Sequence, residues 1–173
     1  MKVTQEIWQE RLNNLNKRRE TEVIKNAYPE VDDYCNHVNS CYVGKTVLDV
    51  GCGLQLIKAC LPNEVIYTGI DPSLMVEGTI PMTIEECNFQ DNSFETLYCF
   101  MVLDGVRDLK ETAKHMKRIA SKNIVILNGI DINPDRYHTF NITLDILNEL
   151  FGDLKVGTKK WITNKVLLIE YLT

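Results

Sequence analysis

Two glycines separated by one residue, set directly behind a short apolar run, constrain this chain more than any other feature. Val47-Leu48-Asp49-Val50-Gly51-Cys52-Gly53 reads as a buried strand that delivers an acid and then two glycines into a turn, with a helix from Leu54 to Cys60 behind it. Glycine allows positive φ and lets a backbone approach a ligand closely. The helix start that follows offers free N–H groups and a positive dipole end. Further on, Ile66-Tyr67-Thr68-Gly69-Ile70-Asp71 closes a second strand on another acid. A carboxylate at that strand end can accept both ribose hydroxyl protons of a nucleoside.

The rest of the chain alternates in the same way. A helix over 3–26, with Trp8, Leu12, Leu15 and Val23 on one face, is interrupted at Pro29 and Asp32–Asp33, and a second helix spans about 30–41. Gly44 leads into the strand Thr46–Val50. Strands follow at Val65–Ile70, weakly at Met82–Glu86, at Thr96–Leu103 and at Asn123–Leu127, with an amphipathic helix over Leu109–Ser121. The tail holds a helix at Leu144–Phe151 and two strands, Leu154–Trp161 and Val166–Leu172, joined at Thr163–Lys165 as an antiparallel hairpin. Strands alternating with helices imply βαβ units. The expectation is an α/β fold: a Rossmann-like, doubly wound, mostly parallel seven-stranded sheet with a C-terminal antiparallel hairpin. An N-terminal helical extension or lid, 1–43, precedes a single domain, 44–173.

Composition removes several function classes. A formal net charge of -5 argues against nucleic acid as the main partner, because duplex binders carry a basic face. No polar-flanked apolar stretch resembles a secretion signal, and no run nears the ~20 apolar residues of a membrane span, so the expectation is neither secreted nor membrane-spanning. Cys35, Cys41, Cys52, Cys60, Cys87 and Cys99 form no C-x-x-C pair and have no histidine at ligand spacing. The expectation is six reduced thiols, no metal and a cytoplasmic location.

Which nucleoside the turn holds follows from two details. A dinucleotide site wants a third glycine where Leu56 stands, and Asp49 would repel a pyrophosphate. The same acid welcomes the charged amino group of an aminoacyl tail, so S-adenosylmethionine fits better. A nucleotide-dependent oxidoreductase, resting on Gly-x-Gly alone, is the weaker alternative.

These residues, together with GIDPS at 69–73, CNFQDNSFETLYCFMVLDGVRD at 87–108 and NIVIL at 123–127, resemble the Rossmann-like S-adenosylmethionine-dependent methyltransferases, in feel the small-molecule branch. The resemblance implies methyl transfer from S-adenosylmethionine to a small-molecule acceptor, a protein acceptor being the other possibility. It implies a donor site built from Asp49, Gly51, Cys52, Gly53 and Gln55 at the first turn. Asp71 would hold the ribose with Pro72 and Ser73 beside the adenine, Ile84 and Glu85 would meet the adenine, and Phe100 and Met101 would line the methionine portion. Relatives often have a small residue at Gln55, whose larger side chain would narrow the pocket. They often carry two histidines where Asp104-Gly105 stand, which puts a histidine relay there in doubt. The stretch Leu103-Asp104-Gly105-Val106 also lacks the Pro-Pro signature of nucleic-acid amino-methyltransferases.

Asp104, Tyr137 and His138 are the candidate catalytic residues, since any base must come from the loops after the strands. Two of them have a plainer reading: Asp104 as a loop acid and His138 as a solvated histidine. Lys17-Arg18-Arg19 reads as a solvated helix face, His37 and His115 as surface residues, and Trp8, Tyr28 and Tyr34 as packing or, if the first helix is a lid, pocket lining. Gln55 and the absent histidine pair also motivate a different class: a catalytically inactive S-adenosylmethionine-binding module acting through a protein partner.

Overall fold

The computed structural model describes residues 1–24, 31–73 and 76–173, without the side chains of 19–24 and 31–33. Tyr28 and Pro29 lie outside the described residues.

The elements run α1 (Gln5–Ile24), α2 (Val31–Val38), β1 (Thr46–Val50), α3 (Leu56–Cys60), β2 (Ile66–Ile70), β3 (Phe94–Phe100), α4 (Leu109–Ile119), β4 (Ala120–Gly129), α5 (Leu144–Phe151), β5 (Lys155–Trp161) and β6 (Val166–Leu172). One sheet is formed, in the order β2-β1-β3-β4-β6-β5. β1 pairs in parallel with β2 and β3, and β3 with β4; β6 runs antiparallel to both β4 and β5. The expected parallel sheet and terminal hairpin are both present.

Strand periodicity decides what each face covers. Leu48 and Val50 of β1, with Leu97 and Cys99 of β3 and Ile124 and Ile126 of β4, join the α4 and α5 side chains in one core cluster. Val47, Tyr98, Phe100, Val125 and Leu127 alternate to the other face and meet Val38 of α2 and Ile57 of α3. β4 is buried from Asn123 to Gly129, as befits a strand covered on both faces. Asp108 caps α4, its Oδ1 accepting from the backbone N–H of Lys110 at 3.1 Å and of Glu111 at 3.4 Å.

The sheet has six strands rather than seven. The expected strand at Met82–Glu86 is instead a 3-10 turn at Ile84–Glu86, closed by a capping box in which Thr83 N–H donates to Glu86 Oε2 at 3.2 Å. Beyond β2 the edge gains, among the described residues, a single bridge between Ile70 and Ile80. α2 falls within the second helix expected over about 30–41, with Asp32 and Asp33 inside it. The apolar run at Thr96–Leu103 breaks at Met101, whose φ of 57° ends the strand, and Leu103 belongs to a 3-10 turn at Leu103–Gly105. The expectation of six free thiols is also corrected: Cys35 of α2 is disulfide-bonded to Cys60 of α3, because packing these helices brings their Cα atoms to 4.8 Å. The inference to the cytoplasm drawn from free thiols loses its footing with it. No helix among the described residues is long and apolar enough to cross a membrane.

Candidate functional site

The chain passes from β1 to β2 on one side and then to β3 on the other, so the sheet order reverses at the carboxyl ends of β1 and β3. Ligands of open α/β sheets bind at such a point. The turn there is tight. Gly51 and Gly53 have φ of 70° and 48°, and the N–H groups of Gly51 and Cys52 donate to Ile70 O at 2.8 and 3.0 Å. A Cβ on Gly51 would overlap the Val102 side chain, so the position admits only glycine. Gln55 also takes positive φ, 57°. Its amide is spent away from the turn, donating to Thr79 Oγ1 at 3.0 Å and to Glu77 O at 3.4 Å. The expected narrowing of the pocket by this side chain is therefore not found.

Two buried carboxylates flank the turn. Asp71, 1% exposed, accepts from Gly53 N–H on Oδ2 at 3.1 Å and from Ser73 N–H on Oδ1 at 2.8 Å. Asp49, 2% exposed, has one hydrogen-bond partner among the described residues, the Tyr67 hydroxyl, which donates to Oδ2 at 2.7 Å. Gly69, directly opposite Asp49 in the sheet, makes that contact possible: a Cβ there would press on the Tyr67 hydroxyl and the Cys52 sulfur. Burial pushes the Asp49 carboxyl up to about 7; the Tyr67 hydrogen bond opposes this and the charge of Asp71 adds to it. Burial and Asp49 together raise the Tyr67 phenol well above its ordinary range.

Two compartments open from these acids. The first is bounded by Asp71 and Pro72, by the Thr83–Glu85 turn and by Val102 and Asp104. The second holds Asp49, Cys52, Gly53 and Phe100, with Tyr34 of α2. Leu15, Gly51 and Met101 line both, so the two compartments adjoin. Met101, held in its left-handed conformation while its N–H donates to Leu127 O at 2.6 Å, projects a half-exposed side chain between them.

α1 roofs this cleft. Trp8 Nε1 donates to Gly105 O at 3.1 Å, Asn14 Nδ2 to Arg136 O at 3.3 Å, and Ser73 Oγ to Asn16 Oδ1 at 2.6 Å. Arg18, expected on a solvated face, lies over the Tyr137 ring at 5.2 Å and lines the second compartment. Of the aromatics considered as lining, Trp8 and Tyr34 do line the cleft. His115, expected at the surface, is half-buried between Cys87 and Arg118, its imidazole lowered by burial.

The three candidate catalytic residues meet at the far wall of the first compartment. Asp104, 5% exposed, accepts from the N–H groups of Thr139 at 2.6 Å and Phe140 at 2.9 Å on its backbone carbonyl, which pins the 135–140 loop over it. His138 Nε2 then lies 3.8 Å from Asp104 Oδ2, and Tyr137 lies beside it. Burial raises the Asp104 carboxyl, and His138 opposes that shift. Sequence reasoning missed Tyr67, Gly69, Leu15 and Asn16. Among the described residues no group of histidine, cysteine and acids is placed to hold a metal ion.

A family model described as a methyltransferase domain matches residues 13–136. No curated protein sequence matches the chain. Among solved structures, 1,6-didemethyltoxoflavin-N1-methyltransferase of Burkholderia thailandensis is similar over 94% of this chain and 86% of its own, with 11% identity and a TM-score of 0.73. A SAM-dependent methyltransferase of Leishmania major is similar over 88% and 76%, with 14% identity and a TM-score of 0.69. Magnesium protoporphyrin IX methyltransferase of Synechocystis, solved with bound SAM, is similar over 82% and 77%, with 15% identity and a TM-score of 0.58. The family model spans well over half of the chain, which therefore belongs to the methyltransferase-domain family, and its sheet has the Rossmann-like fold of these structures.

Proposed function

We propose that the protein transfers a methyl group from S-adenosylmethionine to a small-molecule acceptor. The observation that carries this reading is Asp49, a buried carboxylate at the mouth of a cleft whose one hydrogen-bond partner among the described residues is a neutral hydroxyl. Burying an acid without a cation is expensive, and the charged amino group of an aminoacyl tail would relieve that cost. Asp71, across the glycine turn, would take the ribose hydroxyls of the same ligand, since the two adjoining compartments reach one acid each.

In this reading the backbone of Gly51, Cys52, Gly53 and Gln55 forms the turn that admits the donor. Asp49 holds its amino group and Asp71 its ribose. Pro72, Ser73, Ile84 and Glu85 border the base, and Phe100 and Met101 border the methionine portion. The donor supplies an electrophilic methyl on a sulfonium. The chain's work is to align a nucleophile and exclude water, which in well-oriented cases is worth roughly 7–11 kcal/mol. α1 provides the exclusion, with Leu12 and Leu15 over the cleft. Residues 1–43 then act as the roof of the 44–173 domain. Asp104 and His138 stand where an acceptor proton would leave, with Tyr137 as the bordering aromatic. A roofed cleft suits a small molecule better than a protein side chain. The Burkholderia and Synechocystis enzymes, named for toxoflavin and magnesium protoporphyrin substrates, show that this fold serves such acceptors.

Calorimetric titration of the purified protein with S-adenosylmethionine, S-adenosylhomocysteine and NAD tests the reading. Micromolar binding of the first two and none of NAD is the expected result. Binding of NAD alone, or of none of them, overturns it.

A further inference from the structure

The loop after β4 contains an arrangement that donor binding does not require. Asp135 Oδ1 accepts from three donors: Tyr137 N–H at 2.7 Å, His138 N–H at 2.8 Å and, on the side chain, His138 Nδ1 at 2.9 Å. The same imidazole turns Nε2 inward, 3.8 Å from Asp104 Oδ2. Asp104 is buried on the cleft wall, whereas the Asp135 side chain is half-exposed at the surface. Carboxylate, imidazole and carboxylate thus form one line from the cleft to solvent. The line is clamped at its inner end by the two N–H groups that bond the Asp104 carbonyl.

A merely structural histidine would need only one of these partners. An Asp135 carboxylate on Nδ1 fixes that nitrogen as the protonated one, so Nε2 presents its lone pair to Asp104. That tautomer can receive a proton from inside. The gap of 3.8 Å exceeds a hydrogen bond, but catalytic contacts commonly tighten when substrate is bound.

We propose that Asp104, His138 and Asp135 form a proton relay, and that the acceptor is accordingly a nucleophile that still carries its proton, an N–H or O–H compound. This rests on the methyl-transfer reading above. The balance is complete without a co-reactant: the acceptor's X–H bond breaks as X–CH3 forms, the donor leaves as a neutral thioether, and one proton remains. Asp104 takes it, His138 Nε2 receives it from Asp104, and the imidazolium, with Asp135 still accepting from Nδ1, gives the same proton up from Nε2 to water once product leaves, which restores the Nδ1-protonated form. Asp135 is a positioning residue in this scheme: it accepts from the imidazole and the loop backbone and takes no proton itself.

The test is imidazole nitrogen NMR of the full chain, with and without S-adenosylhomocysteine. The expected result, read at alkaline pH, is a His138 that carries its proton on Nδ1. Asp135→Ala shifts it to protonation on Nε2, and Asp135→Asn, which keeps an acceptor oxygen, restores the Nδ1 form. Nε2 protonation in the parent, or a tautomer indifferent to Asp135→Ala, overturns the relay. A companion assay measures S-adenosylhomocysteine release from S-adenosylmethionine with phenols and N–H azoles set against thioethers and tertiary amines. Turnover with the first group, slowed about 10²-fold or more in kcat by Asp135→Ala at unchanged KM, supports the proposal; turnover confined to the second group overturns it. Loss of donor binding would strike the methyl-transfer reading and leave the tautomer result standing.

Discussion

Replacing Asp49 with asparagine sets stability against ligand binding at one atom. Asp49 ionises at 3.8 in its ordinary state and at about 7 in the fold, so the folded protein holds a proton that the unfolded chain has released over that interval. Stability therefore falls as pH rises: the loss begins near the lower value and is complete above the upper one. A difference of about three units corresponds to about 4 kcal/mol. Asp49→Asn keeps an oxygen for the Tyr67 hydroxyl and carries no charge to bury. The variant is expected to match the parent near pH 4 and to gain stability steadily up to a few kcal/mol near pH 8. Losing a charge-assisted hydrogen bond to the donor's amino group costs roughly 1.5–3 kcal/mol, a weakening of about 10- to 100-fold. Urea unfolding at the two pH values and titration with S-adenosylhomocysteine read both effects. A variant less stable than the parent at the higher pH, or one that binds S-adenosylhomocysteine as tightly, would refute the reasoning.

Asp71→Ala removes the acceptor for two backbone N–H groups along with the proposed ribose contact; donor affinity should drop tenfold or more by calorimetry, and an unchanged Kd would reject the ribose assignment. Glu170 lies at the opposite end of the sheet and accepts from Tyr42 N–H, Asn123 Nδ2 and the Thr158 hydroxyl. Glu170→Ala should cost about 3 kcal/mol at roughly 1 kcal/mol per bond with S-adenosylhomocysteine affinity unchanged, and a weakened affinity would show that the two ends are coupled. Cys35→Ser opens the link to Cys60, 25 residues along the chain. That should cost about 3 kcal/mol in oxidising buffer and nothing relative to the parent in reductant, both read from urea midpoints.

What could be read from the sequence was whatever follows local grammar. The β1 strand, glycine turn and β2 acid announce themselves because buried strands are apolar, positive φ selects glycine, and an acid closing a strand has few other uses. The same grammar misled at Met82–Glu86, where apolar alternation suggested a strand. Yet Thr83 and Glu86 stand at capping-box spacing, and that local signal prevailed. The missing contacts are those between distant segments. Tyr67 in β2 looks like any strand aromatic until the register sets Gly69 opposite Asp49 and clears a path for its hydroxyl. The pairing of Cys35 with Cys60 depends on how α2 lies against α3, which cysteine spacing does not encode. Asp104 and His138 were visible singly, but only the loop clamped to the Asp104 carbonyl makes them a pair.

The costs in this fold are unevenly distributed, and their placement argues for where it works. Of the four non-glycine residues with left-handed backbone among the described residues, Gln55, Met101 and Asp131 stand at the carboxyl ends of β1, β3 and β4, and Asn92 in the turn before β3; each costs of order 1 kcal/mol, least for asparagine, which tolerates that conformation. Asp49 and Asp104 are buried at those strand ends with their carboxyls raised. At the other end, Glu170 is just as deeply buried, but three donors satisfy it. A carboxylate with several donors anchors structure; one with a single neutral partner beside a cleft stores binding energy for a ligand. A chain of 173 residues has little stability to spare for such sites. Concentrating strain and unpaired charge at one end of the sheet, under a helix held by Trp8, Asn14 and Asn16, is the pattern expected where ligand binding repays the cost.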